Sequence, residues 1–376
     1  MAPADPPRPL VVVQLLPALE SGGVERSTIE IADALQRAGH RAIVVSAGGR
    51  LVPALEATGA RHVTLAVGAK SLLAPWRALR LRWLLKRLDA DIVHARSRLP
   101  AWLARWALRG RPEGTRPRFV TTVHGLNSPS RYSAVMASGE RVACVSETVR
   151  RHVLEHYPGT DPGRLRVIPR GVDPAQFPRA PQRDPAARAE VAARYPALGG
   201  HGALLLMPGR GTRRKGHGDA LHLLARLRAD GSDARLWLAG ARDPSRAAYV
   251  AELEAAARAL CIADVVAITE PTDAIARAYA ASDLVLQLSR KPEAFGRTVL
   301  EARAVGRPVV GWDHGGVGEL LHAWQPEGAV PPFDLERLRE VAHHLLGHPP
   351  RPPVTMPDTL RAMQDATLAL YAELVD

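Results

Sequence analysis

Residues 292–316 read PEAFGRTVLEARAVGRPVVGWDHGG. A loop bearing Glu293 and Gly296 opens a helical stretch near Arg297, RPVVGW follows as a buried strand, and a Gly315-Gly316 pair closes the segment. Apolar runs without alternation are what a strand covered on both faces requires, so this is one turn of a βα repeat in a parallel sheet.

The rhythm continues outward. In the first half LVVVQLL (10–16), AIVVSA (42–47), HVTLAV (62–67), DIVHAR (91–96), RFVTTVH (118–124) and RVACVS (141–146) read as strands separated by helical spacing. In the second half ALLLMPG (203–209), RLWLAG (235–240), DVVAIT (264–269), DLVLQLS (283–289) and RPVVGW (307–312) do the same. The proline-dense run VIPRGVDPAQFPRAPQRDP separates the two series. At 376 residues the chain is long enough for two cores. The expected class is α/β, with two Rossmann-like, doubly wound domains facing each other across a cleft lined by the carboxyl ends of the strands. The boundaries expected are 1–170, a linker 171–183, and 184–356, with a last helix at 357–376 crossing back onto the first domain.

Net charge is +12, and it is unevenly placed: residues 1–170 carry +13 and residues 171–376 carry −1. Residues 70–118 alone hold an excess of +10, mixed with Trp76, Trp83, Trp102 and Trp106. Such a stretch suits an anionic membrane surface. Leu72, Trp76, Leu79 and Trp83 share one side of a helix there, while Leu81, Leu85 and Leu88 fall on the other, so part of it must pack inward. A nucleic-acid binder is disfavoured by 5% aromatic content and a neutral second half. The run PLVVVQLLPAL is too short for a membrane span, which needs about 20 residues. A cytoplasmic protein, peripheral on the inner face of the cytoplasmic membrane, is expected, with Cys144 and Cys261 as reduced core thiols.

MPGRGTRRKG (207–216) follows the strand ALLLM and opens a helix. Peptide N–H groups at a helix start favour phosphate, and Arg210 and Lys215 add two cations, so a diphosphate fits. The order is neither a Walker loop nor a dinucleotide fingerprint. The segment at 292–316 supplies the complement. Amides at Ala294, Phe295, Gly296 and Thr298 suit phosphate oxygens, while Glu293 and Glu301 accept from hydroxyls on either side. Taken singly, the basic loop also reads as a solvated surface and Glu301 as an ordinary helix-surface glutamate. Glutamates eight apart recur as Glu147 and Glu155 and as Glu319 and Glu327; the flanking strands and Gly296 set the pair at 293 and 301 apart.

The run PEAFGRTVLEARAVGRPVVGWDHGGVGEL, with SGGVER (21–26), VHG (123–125), VIPRGVD (167–173) and GRGTRRKG (209–216) in the same order, resembles the GT4 family of retaining glycosyltransferases, whose fold is GT-B, and within it the lipopolysaccharide-core type. The resemblance implies that Glu301 binds ribose hydroxyls and Glu293 the transferred sugar, and that Arg210 and Lys215 neutralise the departing diphosphate. It further implies that Gly22 and Gly23 close on the phosphates and that His124 orients the sugar. Ile268-Thr-Glu-Pro271 stands where the family has a glycine-containing segment at the base, and Arg170 where asparagine is common. The implied donor is a UDP- or GDP-type sugar nucleotide with no further cofactor and no metal, and the implied acceptor a glycolipid or surface-polysaccharide precursor. A sugar-nucleotide epimerase on the same fold is the alternative enzyme.

Two metal-like patterns are read as structural. Asp89-Ala-Asp91 precedes a buried strand, and His152, Glu155 and His156 have no third ligand in view.

Overall fold

The computed structural model describes residues 8–20, 22–112, 114–180, 182–352, 355–356 and 358–375. Ser21 of SGGVER, Glu113 in the basic region, Pro181 in the expected linker, and Pro357 and Asp376 at the ends of the expected last helix lie outside the described residues. The chain divides into two units: one runs to Pro169 and resumes at Leu360, and the other is Arg170–Thr359.

The first unit contains β1 (Val11–Leu15), α1 (Gly23–Arg37), β2 (Arg41–Ser46), α2 (Val52–Glu56), β3 (Arg61–Thr64), α3 (Ala74–Arg87), β4 (Ile92–Ala95), α4 (Arg98–Leu108), β5 (Arg118–Val123), β6 (Arg141–Cys144), α5 (Glu147–His156) and β7 (Leu165–Val167). Its strands form one parallel sheet in the order β3-β2-β1-β4-β5-β6-β7. The second unit contains α6 (Pro185–Arg194), β8 (Leu204–Leu206), α7 (His217–Ala229), β9 (Arg235–Ala239), α8 (Ala247–Ala259), β10 (Val266–Thr269), α9 (Ile275–Ala281), β11 (Leu284–Gln287), α10 (Arg297–Val305), β12 (Val309–Trp312), α11 (Gly315–Trp324), β13 (Ala329–Val330) and α12 (Leu335–Gly347). Its sheet, also parallel, runs β10-β9-β8-β11-β12-β13. Both are the doubly wound order expected of Rossmann-like domains. The sequence reading missed β7 and β13: each is short, and each borders its sheet, where two or three residues carry no periodic signal.

Each sheet has its own core. Val12, Leu16, Leu35 and Val44 belong to the first, and Leu205, Leu236, Leu286 and Val310 to the second. Within β1 the buried Gln14 is the polar exception, its amide donating to the carbonyl of Thr28 at 3.1 Å. Residues 170–180 pack on the second unit: the amide of Ala180 donates to Val305 O at 2.7 Å, and buried Phe177 lies 6.2 Å from the ring of Tyr279.

The last helix, α13 (Leu360–Ala372), belongs to the first unit. Buried Tyr371 bonds His94 Nδ1 through its hydroxyl at 2.6 Å, and His94 Nε2 meets Thr122 Oγ1 at 2.6 Å. Gln364 donates to Glu30 O of α1 at 2.7 Å. Glu373 accepts from Arg141 at 2.7 Å and Arg166 at 2.6 Å, and these bonds hold its carboxyl down to about 2.

Helix α3 is amphipathic in an unusual sense. Ala78, Leu81 and Leu85 face inward, while Trp76, Leu79 and Trp83 are exposed together with the arginines; Leu72, expected on the same helix, is exposed in the turn ahead of it. Cys144 is buried, and burial pushes its thiol up to about 12. Cys261 corrects the expectation of a core thiol: it follows the end of α8 at φ 55° and is exposed, because a left-handed residue just past a helix end turns its side chain off the packed face.

Replacing Tyr371 by Phe removes a buried hydrogen bond at the seam between α13 and the sheet. Stability should fall by about 1–3 kcal/mol, or about 2–10 °C in Tm, measured by circular dichroism on heating.

Candidate functional site

In each sheet the strand order reverses beside the first strand, between β1 and β4 and between β8 and β11. Connections leave such a pair in opposite directions, so the loops at its carboxyl end part and leave a crevice. In the second domain these loops are 207–216 and 288–296. They hold Arg210, Lys215, Glu293, Ala294, Phe295 and Gly296, all predicted from sequence.

Gly216 caps the start of α7 at φ 81° and Gly296 caps α10 at φ 101°, neither with a side-chain cap. Three other helices begin on Ser146, Asp184 and Asp334, whose oxygens accept from the first-turn amides. A glycine cap leaves those amides to other acceptors. A Cβ on Gly216 would stand 1.9 Å from Leu288 O, so the two loops meet backbone to backbone.

Glu293 is fixed at both ends. Its carbonyl accepts from the amide of Gly316 at 2.7 Å, and it bridges Gly315. A Cβ on Gly316 would lie 2.5 Å from Phe295 Cα, which is why the double glycine stands there. Its carboxylate accepts from Lys215 Nζ at 2.6 Å, from Gln287 Nε2 at 3.3 Å and from Ser289 Oγ. The stem of Lys215 passes over Gly209. Arg210 is exposed and makes no side-chain hydrogen bond or ion pair among the described residues.

Glu301 lies one turn into α10 with its side chain only 13% exposed. It accepts from Tyr279 OH at 2.9 Å and from Arg297 Nε at 3.0 Å. Burial first, and the Glu301 carboxylate second, push the phenol of Tyr279 well above its usual range, so it stays a donor. Thr298 bonds the same hydroxyl.

The remaining predicted residues are in the first domain. Gly22 caps α1 at φ 140° with no side-chain cap, Gly23 is exposed with open space where a Cβ would be, and half-buried His124 directly follows β5. Arg96, directly after β4, was missed. It is buried, donating to Gln14 Oε1 and Ser27 Oγ, both at 2.9 Å, and burial pulls its pKa down. Sequence reading absorbed it into the strand DIVHAR. Also missed were Gln287, Ser289, Tyr279 and Arg297, which aim the two glutamates; their signal was position alone, at strand and helix ends beside the motif.

The metal-like patterns have structural partners. Asp91 accepts from Val11 N at 2.8 Å and from Arg8, while His152 Nε2 meets Asn127 O at 3.1 Å. Among the described residues no group of three or more His, Cys, Asp or Glu side chains is placed to hold a metal ion, and no helix is long and apolar enough to cross a membrane.

Residues 21–176 match the family model described as Glycosyltransferase Family 4, and residues 196–351 the one described as Glycosyl transferases group 1. The chain is 28% identical over 264 residues to a D-inositol 3-phosphate glycosyltransferase of Segniliparus rotundus, the match covering 67% of this chain and 54% of that one. It thus spans about half the length of the curated relatives it matches. A glycosyltransferase structure from Rickettsia africae superposes with a TM-score of 0.82 at 27% identity, covering 98% of this chain and 99% of that one. The Anabaena HepE structure in complex with UDP and glucose gives 0.75 at 18% identity, covering 97% and 98%, which speaks to fold alone. The two doubly wound domains and these neighbours place the fold in the GT-B class.

Behind Lys215, His217 is fully buried, its Nδ1 3.3 Å from Tyr249 OH. Burial and then the charge of Lys215 lower its pKa to about 4. The unfolded chain therefore binds a proton that the folded one rejects between pH 6.5 and 4, and stability falls with pH across that window by up to about 3 kcal/mol. His217→Gln lacks this penalty. In urea unfolding its stability deficit against wild type should narrow between pH 7 and pH 4.5.

Proposed function

Since the first domain belongs to glycosyltransferase family 4 and the second to the glycosyl transferases group 1, we propose that this chain is a retaining glycosyltransferase that takes a sugar from a UDP- or GDP-type donor. The observation that carries the reading is the pairing of Lys215 with Glu293 between two uncapped helix starts at one sheet reversal. A diphosphate there meets the α7 and α10 amides, Lys215 and the unengaged Arg210, which stabilise negative charge as the sugar departs. When phosphate takes Lys215, Glu293 is released to accept from sugar hydroxyls. Glu301, held by Tyr279 and Arg297, accepts from ribose hydroxyls. Gly22, Gly23 and His124 are assigned their roles through the family resemblance.

Retention follows when the acceptor attacks the face that the diphosphate leaves. The leaving phosphate oxygen takes the acceptor proton, so neither a protein base nor a carboxylate nucleophile is required. Lys215 and Arg210 supply the charge that a divalent ion supplies in other transferases, and no metal enters the scheme.

The acceptor we propose is a glycolipid or cell-surface polysaccharide precursor, such as lipopolysaccharide core, reached at the inner face of the cytoplasmic membrane. The exposed tryptophans and arginines of α3 support this. A second reading, a soluble phosphorylated cyclitol acceptor, is favoured by the name of the Segniliparus relative.

A thermal-shift screen of sugar nucleotides on the full chain should identify the donor. Glu301→Ala should weaken donor affinity about 10–100-fold, and unchanged affinity would overturn the site. Lys215→Met should lower kcat about 10²–10³-fold with little change in Tm. Transfer should survive chelation with EDTA, and assays with glycolipid and cyclitol phosphate acceptors decide between the two acceptor readings.

A further inference from the structure

A cavity of about 1130 Å³ opens in the first domain between the ends of α4 and α5. It lies at the amino-terminal edge of the first-domain sheet, away from His124. Phe119, at the start of β5, lines it, whereas His124 follows the other end of the same strand. Five residues of strand put roughly 16 Å between them, so the cavity is no part of the crevice beside His124.

Its walls are cationic and aromatic. Arg105, Arg109, Arg111, Arg116 and Arg164 line it against Glu140 and Asp161 among the described residues. Both carboxylates are engaged, each also by one of these arginines: Glu140 lies 3.8 Å from Arg116 and Asp161 lies 3.9 Å from Arg164. Glu140 accepts from Arg118 and from the amide of Phe119, each at 3.1 Å, and Asp161 accepts from the amide of Gly163 at 2.8 Å. Arg105 and Arg109 make no side-chain hydrogen bond or ion pair among the described residues. Tyr157 lines the wall with a buried hydroxyl that has no partner there. Among the described residues Arg105, Arg109 and Arg111 are left without a carboxylate; the negative ends of α4 and α5 converge here and account for a cation or two, but not for three.

The cavity adjoins the apolar ridge of α3. Arg82 Nη1 donates to Arg109 O at 3.0 Å, joining α3 to the rim. Along the outer side of α3 the Arg80 guanidinium lies 4.7 Å from the Trp76 ring and that of Arg87 lies 5.2 Å from Trp83. Leu72, just ahead of α3, is fully exposed, and Trp106 on the rim is 42% exposed. Indoles carrying guanidinium groups suit the boundary between headgroups and acyl chains.

We propose that this cavity binds the phosphomonoester headgroup of a membrane lipid while the α3 ridge enters the same membrane. The proposal rests on the membrane reading given above. A phosphomonoester presents three oxygens and more charge than a phosphodiester, which matches convergent forked donors.

The full chain is floated with phosphatidylcholine vesicles containing phosphatidic acid, or phosphatidylglycerol matched in surface charge. Retention on phosphatidic acid should be stronger by about tenfold. Arg105→Gln/Arg109→Gln should bind both anionic vesicles equally, while Trp76→Ser/Trp83→Ser should lose both. Equal retention of wild type on the two, or a preference surviving in the arginine variant, overturns the proposal. In a separate arm, dihexanoyl phosphatidic acid is titrated while indole fluorescence is followed. A saturable change abolished by the arginine variant upholds the cavity site even where vesicles are not bound, which would overturn membrane docking alone. No saturable change, or inorganic phosphate binding as tightly, overturns the headgroup site.

Discussion

The 288–296 loop of the second domain depends on a contact that only glycine permits. Gly315 and Gly316 lie against the backbone of Glu293 and Phe295, closer than any Cβ allows, and the amide of Gly316 anchors the carbonyl of Glu293. With its main chain pinned from the start of α11, Glu293 can direct its carboxylate toward Lys215 without the loop collapsing. Gly216 does the same for the neighbouring loop by lying on Leu288 O. Three flexible residues thereby produce rigidity, because their freedom is used up in close packing.

Electrostatics follow from that geometry. Lys215 and Glu293 are each about one quarter exposed, so neither charge is comfortable without a partner. They neutralise each other across 2.6 Å. His217, behind Lys215, is kept neutral, which avoids a second positive charge in the wall. The two glutamates are held differently: Glu301 by Tyr279 and Arg297, Glu293 by Lys215, Gln287 and Ser289.

Much of this was legible in the chain, and the reasons are specific. The long apolar strands were visible because parallel strands buried on both faces lose alternation, and the site loops because each follows such a strand. The strands at 165–167 and 329–330 were invisible, being too short for any period. The α3 helix looked poorly amphipathic because both of its faces are apolar; only packing separated Leu81 and Leu85 from Trp76 and Trp83. Arg96, Tyr279 and Ser289 went unnoticed because a residue that aims another has no pattern of its own in sequence.

Helix α13 closes the first domain from the far side of the chain. Its Tyr371 completes the buried contact with His94, and its Gln364 reaches α1. During synthesis on the ribosome, 190 intervening residues, Arg170–Thr359, must emerge before that helix exists. The groove it fills therefore stays open while the second domain is being made, and a nascent chain stalled in that interval would expose an unfinished core to chaperones or to proteolysis.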